Sequence, residues 1–185
     1  MHGERIRAFV AVDLPEGIKA GVLGIDLHGL ARVVDPQLLH ITLNFLGYLE
    51  SDMVERAIGI VEKYHHEEFD ISIAGAGMFT HRGGGVAFVG VHDGAAELDE
   101  IHSHLSRILS DSGIALDDKR FTPHVTFARF RGTDRKGMEE LSGLLSGYEG
   151  HVFGGFRCTG LDLKKSILTA AGPEYSALAK ADFTP

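Results

Sequence analysis

The sequence predicts an α+β fold that is mostly antiparallel sheet, built in two similar halves with helices on the outside. Short β-favouring runs and helical stretches alternate irregularly along the 185 residues, which is typical of this class. No long linker, charge block or low-complexity tract divides the chain. A short motif also occurs twice, about half a chain apart, as a duplicated structure would show. We therefore expect residues 1–185 to form a single bilobal domain.

The elements follow from periodicity and from turn residues. Strands are predicted where apolar and β-branched residues cluster or alternate, at 7–12, 39–46, 69–73, 86–91, 122–130 and within 151–163. Helices are predicted where apolar residues recur at helical spacing, from 16 to about 30 and at 53–64, 95–109, 138–145 and 175–181. Ser51 or Asp52 is the expected N-cap of the second helix, and Gly83, Gly84 and Gly85 are expected to form a flexible hairpin connection.

Composition and charge limit the functional classes. The formal net charge is −8, from 18 Lys+Arg and 26 Asp+Glu, which argues against wrapping long nucleic acids. A small site that grips one or two phosphates remains compatible with it. The lone Cys158 excludes an intrachain disulfide and fits a reducing compartment. No apolar run approaches the roughly 20 residues that span a bilayer, and we expect a cytoplasmic monomer without membrane contact.

The repeated motif is His-x-Thr on a predicted strand. The segment 40–45 reads His-Ile-Thr-Leu-Asn-Phe, and the segment 124–129 reads His-Val-Thr-Phe-Ala-Arg. Strand side chains alternate between faces, so the histidine and threonine of each copy point one way and their apolar neighbours the other. Two such strands side by side would place two imidazoles and two hydroxyls on one cleft.

That set of groups suits cleavage of a phosphodiester. Imidazole has an ordinary pKa near 6.5 and can act as base or acid around neutral pH. Hydrolysis needs both roles, one on each side of phosphorus, and hydroxyls can donate hydrogen bonds to the non-bridging oxygens. One His-x-Thr alone is more often structural, because a half-buried histidine and a β-branched threonine both suit a sheet. The second copy makes function the better interpretation.

The two motifs and their neighbours resemble the 2H phosphoesterase superfamily, and in particular its RNA 2′,3′-cyclic phosphodiesterase (2′-5′ RNA ligase-like) branch. The resemblance covers nearly the whole chain: residues 7–12 resemble the opening strand of that branch, 39–47 and 121–129 its two motifs, and 163–168 with 172–175 its closing strand and turn.

This resemblance implies a bilobal fold with a pseudo-twofold axis and a central cleft, one motif in each lobe. It also implies metal-independent opening of an RNA or nucleotide 2′,3′-cyclic phosphate to a 2′-phosphomonoester, without a cofactor. His40 would be the proton donor and His124 the proton acceptor, although the near symmetry of the site leaves that order open. Thr42 and Thr126 would bind the phosphate.

Other residues are weaker candidates for substrate contact. Arg129 is expected at the phosphate or RNA backbone about as often as at the surface, and Arg7 could point into the cleft. Phe9, Phe45 and Phe127 could stack on a base, but at strand positions core is the better interpretation for all except Phe9. Asn44 stands where many relatives carry a basic residue, which would weaken the grip on substrate at that edge.

The 11 histidines also raise the question of a metal. His65 and His66 are adjacent, and His102 and His104 are two apart on a predicted helix, so neither pair shares a face. We interpret all four as surface residues and predict no metal site. The charged residues Asp117, Asp118 and Lys119 are expected in a solvated turn.

Four functions remain in competition. The first is cyclic phosphodiester hydrolysis on RNA 3′ ends or small cyclic nucleotides. The second is 2′-5′ RNA ligation through the same residues in reverse, which requires the 5′-hydroxyl to be held close against roughly 55 M water. The third is a non-catalytic nucleotide-binding module, for which a pair of acid–base groups has no use. The fourth, a metal-dependent hydrolase, lacks a ligand set in this sequence.

Overall fold

The computed structural model describes residues 5–116, 120–170 and 172–185; the charges predicted in a turn at 117–119 lie outside these ranges. The strands are β1 (Ile6–Asp13), β2 (Arg32–Val33), β3 (His40–Leu49), β4 (Phe69–His81), β5 (Gly84–Val91), β6 (His124–Arg131), β7 (Val152–Cys158), β8 (Gly160–Thr169) and β9 (Gly172–Asp182). The helices are α1 (Glu16–Leu23), α2 (Ser51–Glu62), α3 (Ala95–Asp111) and α4 (Arg135–Ser146), with a short 3-10 turn at Pro36–Leu38.

The sheet consists of two four-stranded halves that meet at its centre. The strand order is β7-β4-β5-β6-β3-β1-β8-β9, with β2 paired to β6, and the neighbouring strands run antiparallel. The central strands β3 and β6 are joined at the pair Ile41 and Val125. The α+β class with its antiparallel sheet is thereby confirmed. We call β3-β1-β8-β9 the first half and β6-β5-β4-β7 the second half.

The helices pack against both halves. Helices α2 and α3 contact strands of the first half, and α1 and α4 contact strands of the second. Each presents an apolar stripe to the sheet, as in α3, where Leu98, Ile101, Leu105 and Leu109 are fully buried. This helical spacing of apolar residues is the signal that predicted α3. Within the described residues, no helix is long and apolar enough to cross a membrane.

The repeated motif occupies equivalent places in β3 and β6. The first eight residues of the two strands follow the same order of buried and half-exposed positions. In both strands the pairing shifts by one residue just after the threonine: Leu43 is extra in β3, and Phe127 is extra in β6. Such a bulge places two successive side chains on the buried face. The equivalence therefore extends beyond the His-x-Thr letters into the backbone.

The predicted C-terminal helix at 175–181 is wrong. These residues belong to β9, which pairs with β8 along its length. The buried residues here are Ala179, Ala181 and Phe183, an alternation with period two that is typical of a strand. The helical spacing between Tyr175 and Leu178 misled the sequence interpretation.

Three local predictions also need correction. Helix α1 ends at Leu23 rather than near 30, because Gly24 ends it and the Asp26 carboxylate accepts a hydrogen bond from the His28 backbone in a following turn. Helix α2 begins at Ser51, preceded by Glu50 without a side-chain cap. Gly84 and Gly85 belong to β5 instead of a loop.

Candidate active site

The four motif residues lie together on one face of the central strands. Ile41 and Val125 face each other across β3 and β6 and are both fully buried. Side chains alternate along a strand, so the histidine and threonine on either side of each point to the opposite, open face. In antiparallel pairing His40 and His124 are then diagonal neighbours, close enough for their side chains to reach a common space. The charge of His124 also acts on His40, which agrees with that proximity.

Both imidazoles are oriented by a backbone carbonyl two residues earlier. His40 Nδ1 lies 2.7 Å from the Leu38 carbonyl oxygen, and His124 Nδ1 lies 2.7 Å from the Thr122 carbonyl oxygen. A carbonyl only accepts hydrogen bonds, so each Nδ1 carries the proton and donates it. The unprotonated nitrogen of each neutral ring is therefore Nε2, whose lone pair can accept a proton. In His40 that nitrogen lies 2.9 Å from the Thr42 hydroxyl, which donates to it.

Burial favours the neutral form of both rings. Desolvation lowers the pKa of His40 from 6.5 to about 4; the Lys164 charge also lowers it, while the bond to Leu38 and the Asp13 carboxylate oppose the shift. Desolvation also lowers the pKa of His124, opposed by its bond to Thr122. The charge of His124 contributes to lowering the pKa of His40, so the protonation states of the two rings are linked.

The surroundings of His40 combine aromatic rings with an ion pair. Phe9 and Tyr175 pack on the imidazole, with ring centroids 4.9 and 5.4 Å away. Lys164 Nζ lies 2.5 and 2.6 Å from the two oxygens of Asp13, and Asp13 pairs with His40 in the sheet register. The Lys164 side chain is only 11% exposed. The charged pair is therefore a fixed part of the neighbourhood of His40.

His124 also has two aromatic neighbours. Phe79 and Phe88 meet its ring edge-on at 5.1 and 5.5 Å and stack on each other at 4.2 Å. Phe88 is paired with Thr126 in the sheet register. Phe79 is 41% exposed, so an apolar surface borders the open side of this histidine.

Two of the weaker candidates lie near the histidine pair. The positive charges of Arg129 and Arg7 both act on the phenol of Tyr175, which packs on His40. Burial nevertheless raises the Tyr175 pKa on balance. The cluster thus contains two cations and a phenol beside a candidate phosphate position, although the role of each in binding stays a prediction.

The aromatic predictions have mixed outcomes. Phe127 is fully buried, as expected of a core residue. Phe45 is 56% exposed, so its assignment to the core is wrong: the bulge after Thr42 returns it to the open face. Phe9, the predicted exception, is 4% exposed and lies against His40.

Asn44 faces the helices rather than the substrate edge. Its amide nitrogen lies 2.7 Å from the Ser106 hydroxyl of α3 and 3.3 Å from the His102 carbonyl. The expectation that Asn44 weakens substrate grip at an open edge is therefore wrong.

His102 is not the surface residue that was predicted. It is half-buried, its Nδ1 lies 2.9 Å from the Leu43 carbonyl, and its ring stacks on Phe121 at 4.2 Å. His104 and His65 are exposed. Among the residues that the structure describes, no group of three or more His, Cys, Asp or Glu side chains is placed to hold a metal ion.

Sequence reasoning missed five neighbours of the histidines. Tyr175 was assigned to a helix, and Phe79, Phe88 and the Asp13–Lys164 pair were not connected to the motifs. The available signal was alternation within their own strands: Asp13 and Phe88 belong to β1 and β5, which flank β3 and β6, and Lys164, Phe79 and Tyr175 belong to β8, β4 and β9 further out. Because the strand order was unknown, the long separation of these residues along the chain concealed their proximity to the histidines.

Comparison with known proteins agrees with this fold and pair of strands. The chain belongs to the 2′-5′ RNA ligase superfamily of 2H phosphoesterases, whose family model matches residues 26–161. A protein of Methanothermobacter thermautotrophicus named RNA 2′,3′-cyclic phosphodiesterase is 34% identical over 93% of this chain and 96% of its own. Its namesake from Archaeoglobus fulgidus is 33% identical over 94% and 98%.

Solved structures show the same fold. The crystal structure of E. coli LigT complexed with 3′-AMP covers 98% of this chain and all of its own, with a TM-score of 0.80 and 21% identity. A structure described as a phosphoesterase gives a TM-score of 0.82, also at 21% identity.

Proposed function

We propose that this protein hydrolyses RNA 2′,3′-cyclic phosphates to 2′-phosphomonoesters, without a metal, through His40 and His124. The observation that carries the proposal is the pair of Nδ1–carbonyl bonds, which leave two neutral Nε2 atoms on one open face. Relatives that align over nearly the whole chain are named RNA 2′,3′-cyclic phosphodiesterases, which supports the same reaction here.

The proposed reaction is a single displacement at phosphorus. His124 Nε2 takes a proton from water while the water oxygen forms a bond to phosphorus. The bond from phosphorus to the ribose O3′ breaks on the opposite side, and protonated His40 donates its Nε2 proton to that oxygen. One water is consumed, and the phosphate stays on O2′. In-line positioning of the two rings supplies the acid and the base in one step.

The threonines and arginines hold the phosphate in this proposal. Thr42 exchanges its bond to His40 for one to a non-bridging phosphate oxygen, and Thr126 donates a hydrogen bond to the phosphate from the other strand. Arg129 and Arg7 supply positive charge to the phosphate or to the RNA backbone, where charge-assisted hydrogen bonds are strongest.

The lowered pKa of His40 argues against its assignment as the acid. A pKa of about 4 makes His40 neutral at pH 7 in the empty site, which suits a base better than an acid. A bound phosphate anion raises the pKa of both rings, because it stabilises their charged forms. The resemblance supports His40 as donor, and leaving-group chemistry tests that order directly.

Ligation is the second candidate, because the family itself is described as a 2′-5′ RNA ligase superfamily. A 5′-hydroxyl in place of water would yield a 2′-5′ linkage through the same two histidines. Its yield depends on how well a second RNA end is held close to phosphorus. A non-catalytic binding module would not need both oriented imidazoles.

The deciding experiment is hydrolysis of an oligonucleotide with a 2′,3′-cyclic phosphate in excess EDTA. Wild type, His40→Ala and His124→Ala are compared, and the product is analysed for a 2′-phosphate. We expect turnover by wild type and loss in both variants. A well-folded wild type without turnover would overturn the proposal, and joined RNA ends would favour ligation.

A cytoplasmic location and a monomeric state stay predictions. Light scattering would test the monomeric state.

A further inference from the structure

Beyond Thr42, the open face of the first half carries two exposed aromatic rings. Phe45 and Tyr48 of β3 are 56% and 61% exposed. Large apolar side chains on a sheet surface that leads to an active site suggest a binding surface. Neither ring takes part in the proposed proton transfers.

Both rings point to the same side as the histidine pair. Phe45 pairs with Phe9 in the sheet register, and their rings are 6.4 Å apart; Phe9 in turn packs on His40. Tyr48 pairs with Arg7, two residues before Phe9 on β1 and therefore on the same face. The two aromatic positions are thus separated by two residues of β1, roughly 7 Å along the strand.

The charge of this surface suits a nucleic acid chain. Arg7 pairs with Tyr48 in the sheet, and its positive charge acts to lower the pKa of Tyr175, which lies near His40. The nearby carboxylate of Glu50 is bound by Arg5 at 2.6 Å. Two exposed rings with a cation beside the outer one match a single strand, whose bases stack and whose phosphates are negative.

The proposed mechanism sets the direction in which such a strand would run. His40 protonates the ribose O3′, so the ribose and everything attached to it lie on the first-half side of phosphorus. The attacking water lies on the His124 side. Phe45 and Tyr48 also belong to the first half, so this order of acid and base places the ribose and the two rings on the same side of phosphorus.

We propose that Phe45, Tyr48 and Arg7 form a binding track for the single-stranded RNA that carries the terminal cyclic phosphate. The track makes an oligonucleotide a better substrate than a cyclic mononucleotide. This inference rests on the proposed function and adds to it the residues that bind the RNA before its terminal nucleotide. Base–aromatic stacking corresponds to roughly 5-fold to 150-fold in affinity per base.

The test measures kcat/KM for a 2′,3′-cyclic mononucleotide and for di- and trinucleotides with the same terminal nucleotide. Wild type should prefer the longer substrates by roughly tenfold or more. Tyr48→Ala should lose most of that preference and leave the mononucleotide rate unchanged, while Tyr48→Phe, which keeps the ring, should retain it. Val152→Ala, at a 62% exposed apolar residue of β7, is the matched control and should change neither rate.

Equal kcat/KM for all lengths in wild type would overturn the track, as would a Tyr48→Ala variant that loses activity equally on every length. If no cyclic phosphate of any length is hydrolysed, the proposed function fails instead. Mononucleotide turnover therefore separates the two failures. Tyr48 is largely exposed, so its truncation is not expected to prevent folding.

Discussion

The two halves present the same backbone but different chemistry to their histidines. In the first half, Phe45 is the fifth residue after His40. It pairs with Phe9 of β1, which in turn pairs with Lys164 of β8. In the second half, Arg129 is the fifth residue after His124. It pairs with Val86 of β5, which in turn pairs with Phe79 of β4. The position that Lys164 occupies in the first half, where it is ion-paired with Asp13, is therefore occupied in the second half by Phe79, which packs on His124.

Under the proposed function, this difference would give the two imidazoles different acid–base properties. The central strands supply two equivalent imidazoles, each oriented by one carbonyl. The flanking strands then set the charge and burial around each ring, and these decide its pKa. Variants that remove one neighbour at a time can separate the contributions.

The largest effect is expected from the histidines themselves. His40→Ala and His124→Ala should each lower kcat by roughly 10²–10⁴-fold, as loss of a proton-transfer group does. A substrate with sulfur in place of the bridging 3′ oxygen separates their roles, because a thiolate leaves without a proton. His40→Ala should recover most of its activity on that substrate, and His124→Ala should not. Recovery in His124→Ala alone would reverse the acid and base.

Arg129 is expected to matter next. Arg129→Ala should lower kcat/KM by roughly 10–100-fold if the guanidinium binds the phosphate, since a hydrogen bond to a charged group is lost. Arg131, two residues further along β6 and exposed, provides the control. A loss of similar size in Arg131→Ala would indicate long-range charge rather than contact.

The pH dependence follows from the lowered pKa of both histidines. At pH 7 both rings of the empty enzyme are mostly neutral, so the form with one protonated ring grows as pH falls. Below the lower pKa the base is protonated as well, and the rate declines again. The plot of kcat/KM against pH should therefore be bell-shaped with its maximum below 6.5 and above about 4. A maximum above pH 7 would contradict the lowered pKa of the two histidines.

The smallest expected effect comes from the ion pair near His40. Lys164→Met removes a charge that lowers the His40 pKa and leaves the Asp13 carboxylate that raises it. The limb of the pH profile that belongs to His40 should move upward, on the order of half a pH unit. Lys165→Met is the neighbouring control, and equal shifts in both variants would assign the effect to net charge.

The placement of the motif residues could be predicted because the information was local. Alternation within β3 and β6 placed His40, Thr42, His124 and Thr126 on one face, since a strand fixes that relation over three residues. Phe45 was misassigned because a bulge follows Thr42, and the pairing partner that creates a bulge is not visible in the strand's own sequence. Asn44 was misplaced for the same reason.

Non-local pairing explains the other differences. Tyr175 was assigned to a helix because the spacing of its apolar neighbours is ambiguous over a few residues, and pairing with β8 resolves it. Phe79 and Lys164 reach the histidines from strands that are distant along the chain. Their positions depend on the strand order, which hydrogen bonding and packing of the whole sheet select.

The sequence by itself determined the α+β class, the two central strands and the four motif residues, because side-chain alternation and residue type are properties of short segments. The tertiary structure alone decided which groups surround each histidine. Burial, register and the order of strands arise only when distant segments pack together, and they distinguish the charged neighbourhood of His40 from the aromatic neighbourhood of His124.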